Sequence, residues 1–151
     1  MKPYILKRKQ VVEKPLEEVF EFFSRPENLS RITPPEMGFN IITPTPIDMN
    51  RGSLIDYTVK VLGPLAVRWT SLISEYDPPH KFVDVQLRGP YSFWHHTHTF
   101  KSIAEGTEIT DEVRYLIPMG IIGNLAHALF VRKKLEQIFD FRRHVIGNYF
   151  K

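Results

Sequence analysis

Short turn signals divide the middle of the chain into segments of strand length. They stand at residues 44–46, 63–64, 77–80, 89–90 and 105–106, and each contains proline or glycine. Connections this short can join antiparallel strands, whereas parallel strands need a crossover of about a dozen residues or more. The segment from residue 36 to residue 117 therefore predicts an antiparallel meander of about six strands.

A strand and two short helices are predicted before the meander. Residues 4–13 are rich in Ile, Leu and Val, and Lys14-Pro15 suits a helix with proline in its first turn. A second short helix is predicted from Pro26, and it ends at Thr33-Pro34-Pro35 because proline interrupts the helical hydrogen bonds. The first helix has a predicted buried face made of Leu16, Val19, Phe20 and Phe23.

One long helix is predicted after the meander, following Pro118-Met119-Gly120. An apolar stripe at helical spacing marks its buried face. The stripe consists of Ile121, Leu125, Leu129, Leu135, Ile138, Phe139, Val145, Ile146 and Tyr149. Arg132 and Arg142 lie close to this stripe, and we expect them to run along its margin with their charged ends in water.

These elements predict an α+β fold in one domain spanning residues 1–151. A curved antiparallel sheet of six to seven strands cannot bury its apolar face alone, so it should wrap around the long C-terminal helix. The two short helices after the first strand would close one end. A cavity between sheet and helix is then the natural place for a ligand.

Composition excludes several classes of site. The chain has no cysteine among 151 residues, which excludes disulfides, Cys-ligated metals and thiol catalysis. Its net charge is +3, and its basic clusters stand in no recognisable nucleic-acid-binding motif. No signal peptide or membrane span is evident. We expect a cytoplasmic monomer or homodimer with no nucleic-acid partner, no cofactor and at most transient contact with a membrane.

Hairpin register predicts the side chains that face the cavity from the last two strands. A turn centred on Glu105-Gly106 puts alternate residues of both strands on one face. That face is mostly large and apolar, and the opposite face is rich in Thr, Glu and Lys. The predicted inward set is Trp94, His96, His98, Phe100, Asp111, Val113 and Tyr115.

The same rule, carried upstream, gives a second inward set. Across Gly89-Pro90 it turns Val85 inward, together with Val83 and Leu87, and Asp84 outward. Further upstream it turns Arg68 and Thr70 inward and leaves Trp69 and Ile73 outward. The candidate ligand-binding residues are therefore Tyr57, Arg68, Thr70, Val85, Trp94, His96, His98, Phe100, Asp111, Val113, Tyr115, Leu125 and Leu129.

Several segments resemble a known superfamily. They are residues 15–29, Phe82-Val-Asp, Gly89-Pro-Tyr, Trp94-His-His-Thr-His-Thr-Phe100 and Gly106-Thr-Glu-Ile-Thr-Asp111-Glu-Val-Arg-Tyr115. The chain resembles the START-related SRPBCC superfamily over nearly its whole length, most closely the polyketide cyclase/dehydratase and coenzyme Q-binding branches. The resemblance implies the helix-grip fold of START domains and birch-pollen-allergen-like proteins. It implies no strict catalytic signature, because this superfamily hosts carriers, enzymes and regulators.

Three functions follow as hypotheses. The first is a carrier or sequestering protein for a lipid, isoprenoid quinone or polyketide-like molecule. The second is a cyclase- or dehydratase-like enzyme with His96 or His98 as acid or base, Asp111 orienting it, and Tyr115 or Arg68 polarising a carbonyl. The third is a regulatory or interaction module that uses an outer sheet face containing Trp69 and Ile73.

Two finer alternatives concern single features. His96 and His98 are spaced so that, with Asp111, they could hold a metal ion, but no further metal motif is present and we expect none. Residues 120–125 contain two glycines that weaken helix propensity beside the expected cavity mouth. This segment is either a mobile gate or an ordinary helix start.

Overall fold

Seven β-strands form one antiparallel sheet in a computed structural model that describes residues 2–61 and 63–151. The strand order is β1-β7-β6-β5-β4-β3-β2, so β1 pairs with the last strand and every other neighbour is sequential. This is the predicted meander with the first strand added at one edge. The strands are β1 Tyr4–Val12, β2 Asn40–Ile41, β3 Leu54–Val59, β4 Val67–Asp77, β5 Lys81–Arg88, β6 Phe93–Ile103 and β7 Gly106–Leu116.

Helices cover one face of this sheet. Helix α1 spans Leu16–Phe23, and the expected second helix is a 3₁₀ segment, Pro26–Ser30. The C-terminal helix is continuous but changes character along its length, with α2 at Gly120–Ala126, a π-helical turn at His127–Val131 and α3 at Arg132–Tyr149. Among the described residues, no helix combines the length and apolar character needed to cross a bilayer.

Helices α1 and α3 pack on the same face of the sheet. Phe20 of α1 makes edge contacts with Phe82 and Phe100, at ring-centroid distances of 6.1 and 5.3 Å. Leu135 and Phe139 of α3 join a second buried cluster with residues of β7. The α+β helix-grip architecture is therefore confirmed.

The β6–β7 hairpin has the expected faces but a different register. Ile103 pairs with Gly106, so the turn is Ala104-Glu105 and each pair is displaced by two residues from the predicted one. β7 begins at Gly106, and this position requires glycine. Its φ is +136°, and a Cβ there would lie 2.2 Å from the carbonyl oxygen of Val12. A displacement of two residues preserves the faces, since side chains alternate with a period of two.

The β5–β6 connection inverts the predicted face of β5. Val85 pairs with His95, so an odd number of residues, 86–94, lies between these two partners. The amide of Gln86 closes this loop by donating to the carbonyl of Tyr91 and accepting from its N–H, at 2.7 and 3.1 Å. Asp84 therefore faces the helices, and the inward prediction for Val85 is wrong.

Strand β4 is inverted together with β5, because Ile73 pairs with Asp84 and shares its face. Trp69 and Ile73 are buried beneath the helices, whereas Arg68 and Thr70 bind the carboxylate of Asp56 on the opposite side. The inward predictions for Arg68 and Thr70 are therefore wrong. Trp69 and Ile73 therefore do not belong to the outer sheet face on which the interaction-module hypothesis placed them.

Strand β3 keeps its predicted face because a second odd connection reverses the inversion. Val59 pairs with Val67, and residues 60–66 lie between them. Tyr57 therefore stands beside Trp69 on the covered face, with Ile55 and Val59 buried.

The predicted buried face of α2 is also wrong. Leu125 and Leu129 are 61% and 58% exposed, and Gly123 and His127 are buried in their place. His127 accepts or donates a hydrogen bond at 2.7 Å with the hydroxyl of Tyr115, which orients this side of the helix toward the sheet. Leu125 and Leu129 therefore face away from the cavity.

Candidate functional site

A cavity lies between the sheet and the helices, with an empty volume of about 760 Å³ that is partly open to solvent. Its walls are mainly apolar and aromatic. Helix α1 and the following 3₁₀ segment form one side, strands β3 to β6 form the floor, and α3 contributes a single arginine. The lining includes Phe22, Phe23, Pro26, Leu29, Ile32, Met49, Ile55, Tyr57, Trp69, Ser71, Ile73, Phe82, Asp84, Trp94, His96, His98 and Arg142.

Two further cavities adjoin the first beneath the C-terminal helix. The second, of about 600 Å³, shares Tyr57, Trp69 and Arg142 with the first. The third, of about 770 Å³, shares Tyr91 and Leu135 with the second and extends to helix α2. Neighbouring cavities thus share parts of their walls, and most of the residues that line them are apolar.

Two histidines and two aspartates form a buried cluster on the covered face of the sheet. Nε2 of His98 lies 2.6 Å from Oδ2 of Asp84, and Nε2 of His96 lies 2.8 Å from Oδ1 of Asp111. Nδ1 of His98 also lies 3.3 Å from Oδ1 of Asp111. The imidazole rings stack at a centroid distance of 3.7 Å. Each ring is therefore held between carboxylates from the flanking strands β5 and β7.

The two histidines have opposite pKa shifts. Burial lowers the pKa of His96, and the charge of His98 lowers it further. Burial acts on His98 in the same direction, but hydrogen bonds to Asp111 and Asp84 outweigh it and raise the pKa of His98. Those bonds also hold the pKa of each aspartate below its ordinary value, although burial opposes them. His98 is therefore the more basic of the two imidazoles, and His96 is the less basic one.

Arg142 brings a second positive charge to the cluster. Its Nε is buried and has no hydrogen-bond partner among the described residues. Burial lowers the pKa of Arg142, and the nearby carboxylates of Asp111 and Asp84 oppose that shift. The guanidinium of Arg142, together with His98 when it is protonated, opposes the charges of the two carboxylates.

Aromatic side chains form the wall beside these charges. The Trp69 ring stacks on Tyr57 at 5.8 Å and meets Trp94 edge-on at 5.2 Å. The indole Nε1 of Trp69 is buried and has no hydrogen-bond partner among the described residues. Burial, reinforced by the negative charge of Asp84, raises the pKa of the Tyr57 hydroxyl. This wall is therefore neutral and contains an unused donor.

Comparisons of sequence find no relative. No protein-family model matches the chain, and no curated protein matches it.

Comparisons of structure find many similar chains. A START superfamily protein from Mycobacterium smegmatis is 9% identical, with a TM-score of 0.72 over 97% of this chain and 96% of that chain. The protein has a START-like helix-grip fold. The START-like chain is also similar to a protein from Thermus thermophilus, TTHA0849, at 17% identity and a TM-score of 0.73 over 96% and 95% of the two chains. Protein NE0264 from Nitrosomonas europaea is 12% identical, with a TM-score of 0.66 over 96% and 95%.

The START-like fold brings only some of the predicted site residues together. Tyr57, Trp94, His96 and His98 line the first cavity, and Asp111 lies behind the two histidines. Three predicted residues share this face but are part of the packed core: Phe100, Val113 and Tyr115. The remaining five lie elsewhere, on the outer face of the sheet or in solvent: Arg68, Thr70, Val85, Leu125 and Leu129.

Three important residues of this START-like cavity were missed: Asp84, Trp69 and Arg142. Hairpin register across the predicted even-length turns places Asp84 and Trp69 on the outer face. Arg142 carried a usable signal, because it stands three residues after Phe139 and four before Ile146, at the spacing of the buried stripe. A charged residue at such a position predicts a buried polar site.

The cluster also has the composition of a metal site. One donor atom each from Asp84, His96 and His98 lies within 4.8 Å of the others. Both imidazoles are already hydrogen-bonded to a carboxylate, His98 to Asp84 and His96 to Asp111. The guanidinium of Arg142 faces the same carboxylates, and its positive charge disfavours a further cation. The arrangement is therefore better suited to hydrogen bonding and proton transfer.

Proposed function

We propose that this START-like protein binds a hydrophobic small molecule with neutral oxygen acceptors, as a carrier or sequestering protein. One observation carries the proposal. Nε of Arg142 and Nε1 of Trp69 are buried donors without a partner among the described residues, in a largely apolar cavity. Buried donors are almost always hydrogen-bonded, so a ligand oxygen would complete both. Lipids, isoprenoid quinones and polyketide-like molecules all provide such oxygens.

Charge balance supports a neutral ligand. The raised pKa of His98 favours its protonated form, and this form together with Arg142 matches the charges of Asp84 and Asp111. A bound carboxylate would add a negative charge that nothing in the cluster compensates, and an unbalanced buried charge is strongly unfavourable. A carbonyl or ether oxygen accepts the same hydrogen bonds without that penalty.

Three related probes test this proposal: 1,4-naphthoquinone, naphthalene and 1-naphthoate. The chain has two tryptophans, Trp69 and Trp94, and both line the cavity, so intrinsic fluorescence reports its occupancy. The chain has no cysteine with which the quinone could react. We expect naphthoquinone to bind at least about tenfold more tightly than naphthalene, because one hydrogen bond to a charged donor is worth about 1.5–3 kcal/mol. Naphthoate should bind more weakly than the quinone.

Variants of neighbouring arginines identify the donor. Arg142→Met should weaken naphthoquinone binding by about tenfold and leave naphthalene binding unchanged. Arg143→Met is the matched control, because Arg143 is exposed and donates to the carbonyl of Lys9. Equal affinities of wild type and Arg142→Met for the quinone would contradict the proposed role of Arg142. Equal affinities for quinone and naphthalene would contradict the proposed ligand class.

A second candidate function is acid–base catalysis of the cyclase or dehydratase kind. The supporting observation is that His98 and Asp84, hydrogen-bonded to each other, both line the cavity. His98 could protonate a ligand carbonyl while His96, oriented by Asp111, accepts a proton from carbon. Arg142 would replace Tyr115 and Arg68 as the group that polarises the carbonyl, since Tyr115 binds His127 and Arg68 lies outside.

The diketone 2,6-heptanedione tests this candidate. Its cyclisation forms a carbon–carbon bond between a methyl carbon and the distant carbonyl and releases one water. Catalysed formation of methylcyclohexenone that His98→Ala abolishes, with naphthoquinone binding retained, would support an enzyme. Equal rates of methylcyclohexenone formation with and without the protein would contradict the enzyme hypothesis and leave ligand binding as the proposed function.

A further inference from the structure

Helix α2 and the π-helical turn are oriented with their polar side toward the protein. Asn124 accepts a hydrogen bond at 2.7 Å from the hydroxyl of Tyr4, and His127 bonds Tyr115 and stacks on Tyr4 at 3.5 Å. Gly123 also faces inward, where a Cβ would lie 2.0 Å from the carbonyl oxygen of Pro118. These contacts determine the rotation of the helix about its axis.

The apolar side of the same segment consequently faces water. Six large apolar side chains are between 58% and 88% exposed. They form what we call the apolar patch: Met119, Ile121, Ile122, Leu125, Leu129 and Phe130. A contiguous apolar surface of this kind marks an interaction site rather than chance exposure of single residues.

The charged residues of the chain segment that carries the apolar patch are all basic. Arg132, Lys133 and Lys134 follow it directly, and no aspartate or glutamate occurs from residue 113 to residue 135. Arg132 approaches Glu136 at 3.7 Å, and this is an exposed pair of little strength. The segment therefore combines an exposed apolar surface with a positively charged border.

We infer that the apolar patch docks on an anionic lipid bilayer. Anionic membranes bind amphipathic segments of this kind. The apolar side chains enter the interface, and the basic residues contact the anionic headgroups. A second copy of this chain fits less well. A symmetric dimer through the patch would bring two sets of Arg132 and Lys133 together, and the segment has no carboxylate to pair with them.

Docking would place one cavity against the lipid. Met119 and Ile122 belong to the apolar patch and also line the third cavity, beside Lys134. A hydrophobic molecule could then pass between bilayer and cavity without crossing water. The docking itself does not depend on the proposed ligand, and each can fail separately.

Vesicle sedimentation tests the inference. We expect the purified chain to bind vesicles of about three parts phosphatidylcholine to one part phosphatidylglycerol at least about tenfold more tightly than vesicles of phosphatidylcholine alone. Leu129→Asp should reduce binding to the anionic vesicles by at least about tenfold. Leu54→Asp is the matched control, since Leu54 is also a leucine and 55% exposed, but lies on β3.

Charge variants complete the test. Lys133→Glu should weaken binding several-fold, whereas Lys101→Glu, at the opposite end of the sheet, should not. Circular dichroism of each variant shows that it is folded. If the protein sediments with neither vesicle type, the inference is overturned. A dimer in light scattering that Leu129→Asp converts to a monomer would overturn it in favour of a second copy.

Discussion

His98 and Asp84 are joined at 2.6 Å between Nε2 and Oδ2, although alternation along the sequence places them on opposite faces of the sheet. The charged and titratable groups that face His98 come from three strands: Asp84 from β5, His96 from β6 and Asp111 from β7. Arg142 of α3 acts on the same two carboxylates. We expect Asp84→Asn to lower the pKa of His98, because one of its two carboxylate partners loses its charge. Titration of the imidazole resonances by NMR measures the change.

The stability contributed by this pair should depend on pH. The folded-state pKa of His98 is raised above 6.5, so its contribution is complete below pH 6.5 and is lost as pH rises through the raised pKa. The pKa of Asp84 is lowered below 3.8, so its contribution is present above pH 3.8 and is lost as pH falls through the lowered pKa.

A double-mutant cycle with Asp84→Asn and His98→Gln isolates the coupling between the two residues. The coupling should be about 1.5–3 kcal/mol between these limits and should decrease toward alkaline pH. A coupling that grows with pH would show that His98 is neutral in the folded state.

His127 should make the protein less stable in acid. Burial, together with the positive charge of Arg132, lowers the pKa of His127 below 6.5. A base of this kind contributes stability above pH 6.5 that is lost as pH falls through the lowered pKa. The free energy of unfolding, measured in urea, should therefore fall more steeply from pH 8 to pH 5 in the wild type than in His127→Phe. His80→Phe is the control because His80 is exposed, and a pH dependence identical in all three proteins would contradict this account.

Two helical glycines should respond in opposite ways to alanine. A Cβ at Gly123 would lie 2.0 Å from the carbonyl oxygen of Pro118, so Gly123→Ala should lower the free energy of unfolding by about 1–3 kcal/mol. A Cβ at Gly147 would have Nε2 of Gln10 as its nearest neighbour, at the ordinary contact distance of 3.5 Å. Gly147→Ala should therefore raise the free energy of unfolding by up to about 1 kcal/mol. Thermal or urea unfolding measures both, and equal effects would show that α2 does not lie as described.

Adjacent residues on β4 test the face of that strand. Trp69→Ala should lower the free energy of unfolding by about 3–5 kcal/mol, because the side chain is 5% exposed and packs against three aromatic rings. Arg68→Ala should change it by less than about 1 kcal/mol, since the ion pair with Asp56 is largely exposed. The reverse order would restore the outward assignment of Trp69.

Local sequence pattern was sufficient for the elements of this fold. Period-two alternation, proline and glycine turns and the helical stripe predict the strands, the antiparallel meander and the C-terminal helix. The shared face of His96, His98 and Asp111 also follows, because a short predicted turn at residues 105–106 leaves little freedom for the faces, although the pairs themselves are displaced by two residues. Half of the cluster was therefore accessible from sequence.

The other half depended on tertiary contacts. The amide of Gln86 closes the β5–β6 connection, in which an odd number of residues lies between the partners Val85 and His95. This register places Asp84 and Trp69 on the cavity side. Contacts of Tyr4 and Tyr115 with α2 turn Leu125 and Leu129 outward. Side-chain alternation specifies faces only relative to a neighbouring strand, so one residue more or less in a loop exchanges them. The sequence by itself determined which segments become strands and helices; only the tertiary structure decided which of their sides encloses the cavity.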